Sequence, residues 1–292
     1  MNWKNLGWQD ITLEVPEDWC LHSEGGDWKS GSLRLDDGVM VTMELKWERS
    51  DKAADLDATL AGVRKQMKQF DKSIKHTDAD AMSTVIKPRG FKYTLMTWEG
   101  AVNGIGFVAR CKSCNTSLVL RLYWEPGSAL ENDVLSRIFS SIRDHLRADK
   151  MSFWSVYGLN VTIPGSYRLD FREFLSGRTQ LAFIRDKSRI EFMRLSFGGM
   201  ILEDEDLVAW FRRNHKFIKT LSGPDEQEIQ GHDGKLFKTV QRRKKQGKGD
   251  MQVQSLLWYC DTNDKIHLVQ SLSTNPRNIA DVVEAAGRVA CH

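Results

Sequence analysis

Apolar and polar residues alternate along much of this chain, the period of strands with one buried face. Ile11, Leu13 and Val15 predict a strand that ends at Pro16. A polar stretch carrying the turn signal Gly25-Gly26 comes next. "SLRLDDGVMVTMELKW" then predicts two strands around Asp37-Gly38, a dipeptide that accepts the positive φ of a two-residue hairpin. After Asp55 the period changes. Leu56, Leu60, Val63, Met67 and Phe70 recur at three- and four-residue spacing, so Asp55 is expected to cap a helix reaching Phe70. "STVIKP", "FKYTLMTWEG", "IGFVARC" and "SLVLRLYW" predict strands with tight connections. A closing helix is expected over 129–146, burying Leu130, Val134, Leu135, Ile138 and Ile142.

The same order then recurs. Leu159, Val161 and Ile163 lead to Pro164, and "TQLAFIRDKSRIEFMRLSF" predicts a hairpin around 186–188. Asp206 precedes Leu207, Trp210, Phe211 and Phe217 on a helix. "KLFKTVQRR", "MQVQSLLWYC" and "KIHLVQSLS" are strands, and 278–292 reads as a helix carrying Ile279, Val282, Val283 and Val289. Landmarks align between the halves: Pro16 with Pro164, Trp19 with Tyr167, Trp47 with Phe197, Leu56 with Leu207, Phe91-Lys92 with Phe237-Lys238, and Cys111 with Cys260. The pattern predicts an internal duplication. The expected fold class is α+β: two similar domains, 1–149 and 150–292, each an antiparallel β-sheet flanked by α-helices.

An opening strand ending "VP..W" or "IP..Y", an amphipathic helix, a strand meander and a terminal helix resemble the PsbP-like superfamily. That superfamily includes DcrB-like bacterial proteins and a Ran-binding import factor. The resemblance spans nearly the whole chain, twice. It implies a protein that binds or assembles others, and it brings no catalytic residues.

Composition narrows the function. The chain of 292 residues is 41% hydrophobic and 28% charged, with a net charge of +3, too small to demand a polyanionic partner. No run approaches the roughly 18–20 apolar residues of a membrane span. The opening "MNWKNLGWQD" has no apolar signal core, so a cytoplasmic location is expected. In a reducing compartment the five cysteines are thiols or ligands.

The sharpest chemical motif is "CKSC". Cys111 and Cys114 at this spacing can share one tetrahedral zinc ion. Cys20 and His22, alternating on one strand-like segment, are the candidate remaining ligands; Cys260 and Cys291-His292 are another source. The alternatives are a β-turn carrying two ordinary thiols, one tucked into the sheet, and a redox dithiol, although the pair lies between strands rather than at a helix N-terminus. "QRRKKQGKGD" places Arg242, Arg243, Lys244, Lys245 and Lys248 at a hairpin tip that can meet phosphates, but without aromatic stacking residues or a recognition helix. Phe153 and Trp154, next to the polar junction, are expected near an interface between the two halves and a partner-binding cleft. The ten tryptophans are read mainly as core. No GxGxxG, Walker loop, G-x-S-x-G or HExxH occurs. The expectation is a non-catalytic, cofactor-free interaction protein. Its alternatives are a small zinc protein or enzyme, and a nucleic-acid binder using 242–248.

Overall fold

The computed structural model describes residues 1–79, 82, 84–146, 148–215, 223–241 and 250–291. It divides into two compact units, Met1–His145 and Leu146–His292.

The first unit opens with a hairpin of β1 (Trp3–Trp8) and β2 (Ile11–Pro16). Then come β3 (Cys20–Gly26), β4 (Ser30–Asp36), β5 (Val41–Glu48), α1 (Leu56–Phe70), β6 (Lys75–Asp78), β7 (Phe91–Glu99), β8 (Asn103–Cys111), β9 (Ser117–Trp124) and α2 (Asn132–Ser141). Seven strands form an antiparallel sheet in the order β3-β4-β5-β9-β8-β7-β6. Neighbouring residues of β8 show that both faces are covered, because strand side chains alternate. Phe107 meets Phe139 of α2, with ring centroids 5.5 Å apart. Val108 joins Leu56, Leu60 and Met67 of α1 on the other face, with Met96 and Trp98. Gly104 makes room there, since a Cβ would stand 2.1 Å from the Trp98 ring.

The second unit repeats the circuit. It has β10 (Met151–Val156), β11 (Leu159–Pro164), β12 (Arg168–Leu175), β13 (Arg178–Arg185), β14 (Ser188–Ser196), α3 (Gly198–Ile201), α4 (Leu207–Asn214), β15 (Asp225–Ile229), β16 (His232–Gln241), β17 (Met251–Cys260), β18 (Lys265–Ser273), α5 (Val282–Ala286) and β19 (Val289–Ala290). Its sheet order is β12-β13-β14-β18-β17-β16-β15, and β19 joins the β10–β11 hairpin. Trp210 and Phe211 of α4 pack with Phe237, Leu257, Ile266 and Leu268.

Local signals hold well. Asp55 caps α1, accepting from the backbone of Asp57 and Ala58, and Asp206 caps α4 through Ala209. Asp37 Oδ1 accepts the Val39 and Met40 N–H groups, and Gly38 has φ +87°. Asp55→Ala is expected to cost about 1 kcal/mol, read as a lower urea midpoint with an unchanged slope.

Long-range pairing alters the rest. The chain is mostly β rather than an even α+β mixture. Its sheets are antiparallel, but β1, β3, β6, β10, β12 and β15 were not legible as strands, and the strand expected at "STVIKP" is not formed, since 84–88 belong to no strand and the sheet edge is β6 instead. β3 and β12 are sheet edges, where a strand with few fully buried residues carries little apolar alternation. The helix expected over 129–146 stops at Ser141, because Arg143 turns extended and exchanges both backbone hydrogen bonds with Thr12. The helix expected over 278–292 is a 3-10 turn, the short α5 and then β19, since Val289 pairs with Val161. Phe70, expected on the buried stripe of α1, is 88% exposed. Phe217 lies outside the described residues.

Register also revises two of the aligned landmarks. Pro16 and Pro164 stand opposite Trp3 and Met151, at the same place in their hairpins, and each accepts the N–H of the aromatic residue three positions on. Cys111 and Cys260 both end the strand before the last hairpin. Counting from those cysteines, however, Glu44 matches Glu191. Trp47 then matches Arg194 rather than Phe197, and Phe91 matches His232 rather than Phe237.

Candidate metal centre

The CKSC motif occupies the turn between β8 and β9. The Cys111 N–H donates to Thr116 O at 2.8 Å, and Asn115 takes φ +58° to close the loop. Thirty residues later the chain leaves α2. The Thr12–Arg143 bridge pins it to β2, delivering Asp144 and His145 beside that turn.

Cys111, Cys114, Asp144 and His145 thus offer four ligand atoms, all within 4.8 Å of one another. Cys111 Sγ lies 3.1 Å from His145 Nε2, Cys114 Sγ 3.1 Å from Asp144 Oδ2, and His145 Nε2 3.5 Å from Asp144 Oδ1. Zinc bonds of about 2.0–2.3 Å in a tetrahedron put neighbouring ligand atoms roughly 3.3–3.8 Å apart. Three close approaches lie near that spacing, with the Asp144 carboxylate meeting Cys114 and His145 through different oxygens. Thiolate, imidazole and carboxylate are also the donors zinc accepts.

The electrostatics point the same way. Asp144 is buried at 5% exposure, with His145 Nε2 3.5 Å from its Oδ1. A buried carboxylate calls for a cation nearby. Burial, reinforced by Asp144, pushes the Cys114 thiol up to about 11, against the hydrogen bonds from Thr116. A metal entering here displaces that proton.

Cys20 and His22 are not brought to this group. Cys20 is exposed, with Sγ on Asp18 O at 3.6 Å, and His22 Nδ1 pairs with Asp36 at 3.1 Å. Both lie on the exposed side of β3, the edge strand, with β4 and β5 between it and the β8–β9 turn that carries the thiols. Asp144 and His145 stand with the thiols instead. A signal for them was present in the chain: "DH" follows Cys111 at nearly the spacing at which "CH" follows Cys260.

The second unit gathers a related group at the matching place. His232, Cys260 and Cys291 offer ligand atoms within 4.8 Å of one another, with Cys291 Sγ 3.4 Å from His232 Nε2. Cys291 follows β19 as Asp144 follows the Arg143 bridge. Asn263, in the position of Cys114, donates its amide to Cys291 O. Burial and the neighbouring Cys260 raise the Cys291 thiol.

Trp154 is buried within the second unit, its ring 4.9 Å from Phe183, and Phe153 stands opposite Thr162 in the β10–β11 hairpin. Arg242, Arg243, Lys244, Lys245, Lys248 and His292 lie outside the described residues. Among the described residues no helix is long and apolar enough to cross a membrane.

No protein-family model matches the chain, and no curated protein matches it. Among solved structures, PA94 from Pseudomonas aeruginosa, a protein of unknown function, is similar at 12% identity with a TM-score of 0.24, over 44% of this chain and 85% of that one. At that score the likeness carries no argument about fold or function.

Proposed function

We propose that the chain is a cytoplasmic binding protein of two PsbP-like units that docks a protein partner, with a closed zinc centre at Cys111, Cys114, Asp144 and His145. The observation that carries the metal reading is the convergence of those four ligand atoms from two distant segments. Four protein ligands fill a tetrahedral ion and leave no position for a reacting water, the pattern of structural rather than catalytic zinc. Free thiols as ligands suit a reducing compartment. The proline-aromatic hairpin and the repeated circuit support the PsbP-like reading.

A second reading rests on the other unit. His232, Cys260 and Cys291 supply three ligands, and a metal held by three keeps an open position, as catalytic zinc does.

Metal analysis of the full chain, reconstituted with zinc under reducing conditions, tests both. One tightly held equivalent is expected, lost in Cys114→Ser and His145→Ala and kept in Cys20→Ser. Cobalt in its place should show the absorption of a tetrahedral thiolate site. A second equivalent lost in Cys260→Ser would favour the second reading. A chain that retains no zinc, or a Cys114→Ser variant that holds as much as the parent, defeats the metal centre.

A further inference from the structure

A cavity of about 470 Å³ lies in the first unit between α1 and the sheet face bearing β4, β5, β9 and β7. That size falls in the range of roughly 300–1,000 Å³ typical of small-molecule sites. Met67, Ile74, Trp98 and Val102 give it apolar walls. At the other side, one buried carboxylate faces three cations. Glu44 Oε1 accepts from Arg34 Nε at 3.1 Å and Nη2 at 3.0 Å, and Lys46 Nζ is 3.6 Å away. Its Oε2 accepts from Arg121 Nη2. The local balance is positive. Asp71, the other carboxylate on the cavity wall, is occupied by its own turn, accepting from Ser73 N, Ser73 Oγ and Ala101 N.

Arg121 is 8% exposed, yet its Nε has no hydrogen-bond partner among the described residues. A buried guanidinium N–H without an acceptor is costly, so Arg121 is held beside the cavity at the expense of the fold.

The second unit shows that the sheet does not require these arginines. By register, Glu44 with its neighbours Arg34 and Arg121 corresponds to Glu191 with Ala182 and Gln270. Gln270 is satisfied by Ser255 Oγ at 2.7 Å. Glu191 pairs instead with Arg189 Nε at 2.6 Å, on its own strand, and accepts from Gln180. Cross-strand arginines on both sides of the shared carboxylate thus occur in the first unit, beside the cavity, and are replaced by Ala182 and Gln270 in the second.

We propose that this cavity binds a small amphiphile with a carboxylate head and an apolar chain, the head on Arg121 and Arg34 and the chain along Trp98 and Met67. A carboxylate matches the planar donor fork of arginine, and the apolar wall is too extensive for a bare anion. The site is independent of the metal centre.

Calorimetric titration of the full chain tests it, with dodecanoate and dodecanol as probes. Dodecanoate is expected to bind once per chain and at least tenfold more tightly than dodecanol. Arg34→Met, at a half-exposed position, should weaken dodecanoate at least tenfold, and Val102→Trp, which fills the cavity, should abolish it. Circular dichroism would establish that both variants fold. Equal binding of acid and alcohol would reduce the site to an apolar cavity and overturn the proposal. So would no binding, or parental affinity in either folded variant.

Discussion

Removing metal from the first unit is expected to lower its stability by about 4 kcal/mol when free zinc stands near a thousand times the dissociation constant, because an ion that binds only the folded state stabilises it by mass action. The unfolded chain has no preformed site, since Cys111 and Cys114 lie some thirty residues from Asp144 and His145 and meet only when Arg143 pairs with Thr12. Asp144 is buried against the Cys114 thiol, a place where a carboxylate gains from a cation. Scanning calorimetry with zinc and with chelator measures the difference. Cys111→Ser should melt like the chelated parent and respond to neither addition. If the parent melts at one temperature under both conditions, the ion does not belong to the fold.

His267→Leu is expected to stabilise the second unit and to flatten its response to acid. His267 is 1% exposed, stacks on Trp258 at 5.0 Å, and has no hydrogen-bond partner at either ring nitrogen among the described residues. Burial first, then the positive charges of Arg194, His232 and Lys265, lowers its pKa from 6.5 to about 3. The folded state therefore resists a proton that the unfolded chain accepts. Stability is intact above about pH 6.5 and falls as the pH drops towards 3. At about 1.36 kcal/mol per pH unit, the loss between pH 7 and 4.5 is on the order of 2–3 kcal/mol. Leucine removes that term, and the first unit shows that it fits, because Leu118 holds the matching register position at 0% exposure. Urea unfolding of parent and variant at pH 7 and 4.5 measures it. Parallel losses in the two proteins would show that His267 does not govern the acid response.

The repetition was legible in the chain, while its residue-by-residue details were not. Pro16 and Pro164 mark the same turn because proline-aromatic chemistry acts within three residues. Phe91 and Phe237 look equivalent as letters, yet stand opposite different positions, since the loops before β7 and β16 differ in length and only hydrogen-bond register counts residues correctly.

Whatever depends on near neighbours was written in the chain itself. The Asp37-Gly38 hairpin, the Asp55 and Asp206 caps and the stripe that buries Leu56, Leu60 and Met67 each need only a few adjacent residues to be satisfied. Cys111 and Cys114 were readable as a ligand pair for the same reason. Tertiary structure decided the edge strands β3 and β12, the early stop of α2, and the choice of Asp144 and His145 over Cys20 and His22. It also decided that Arg34, Glu44 and Arg121 meet beside a cavity. In each of these cases the partner lies on a distant strand, and which residues then face each other depends on pairing register and on the backbone hydrogen bonds that the folded sheet must satisfy.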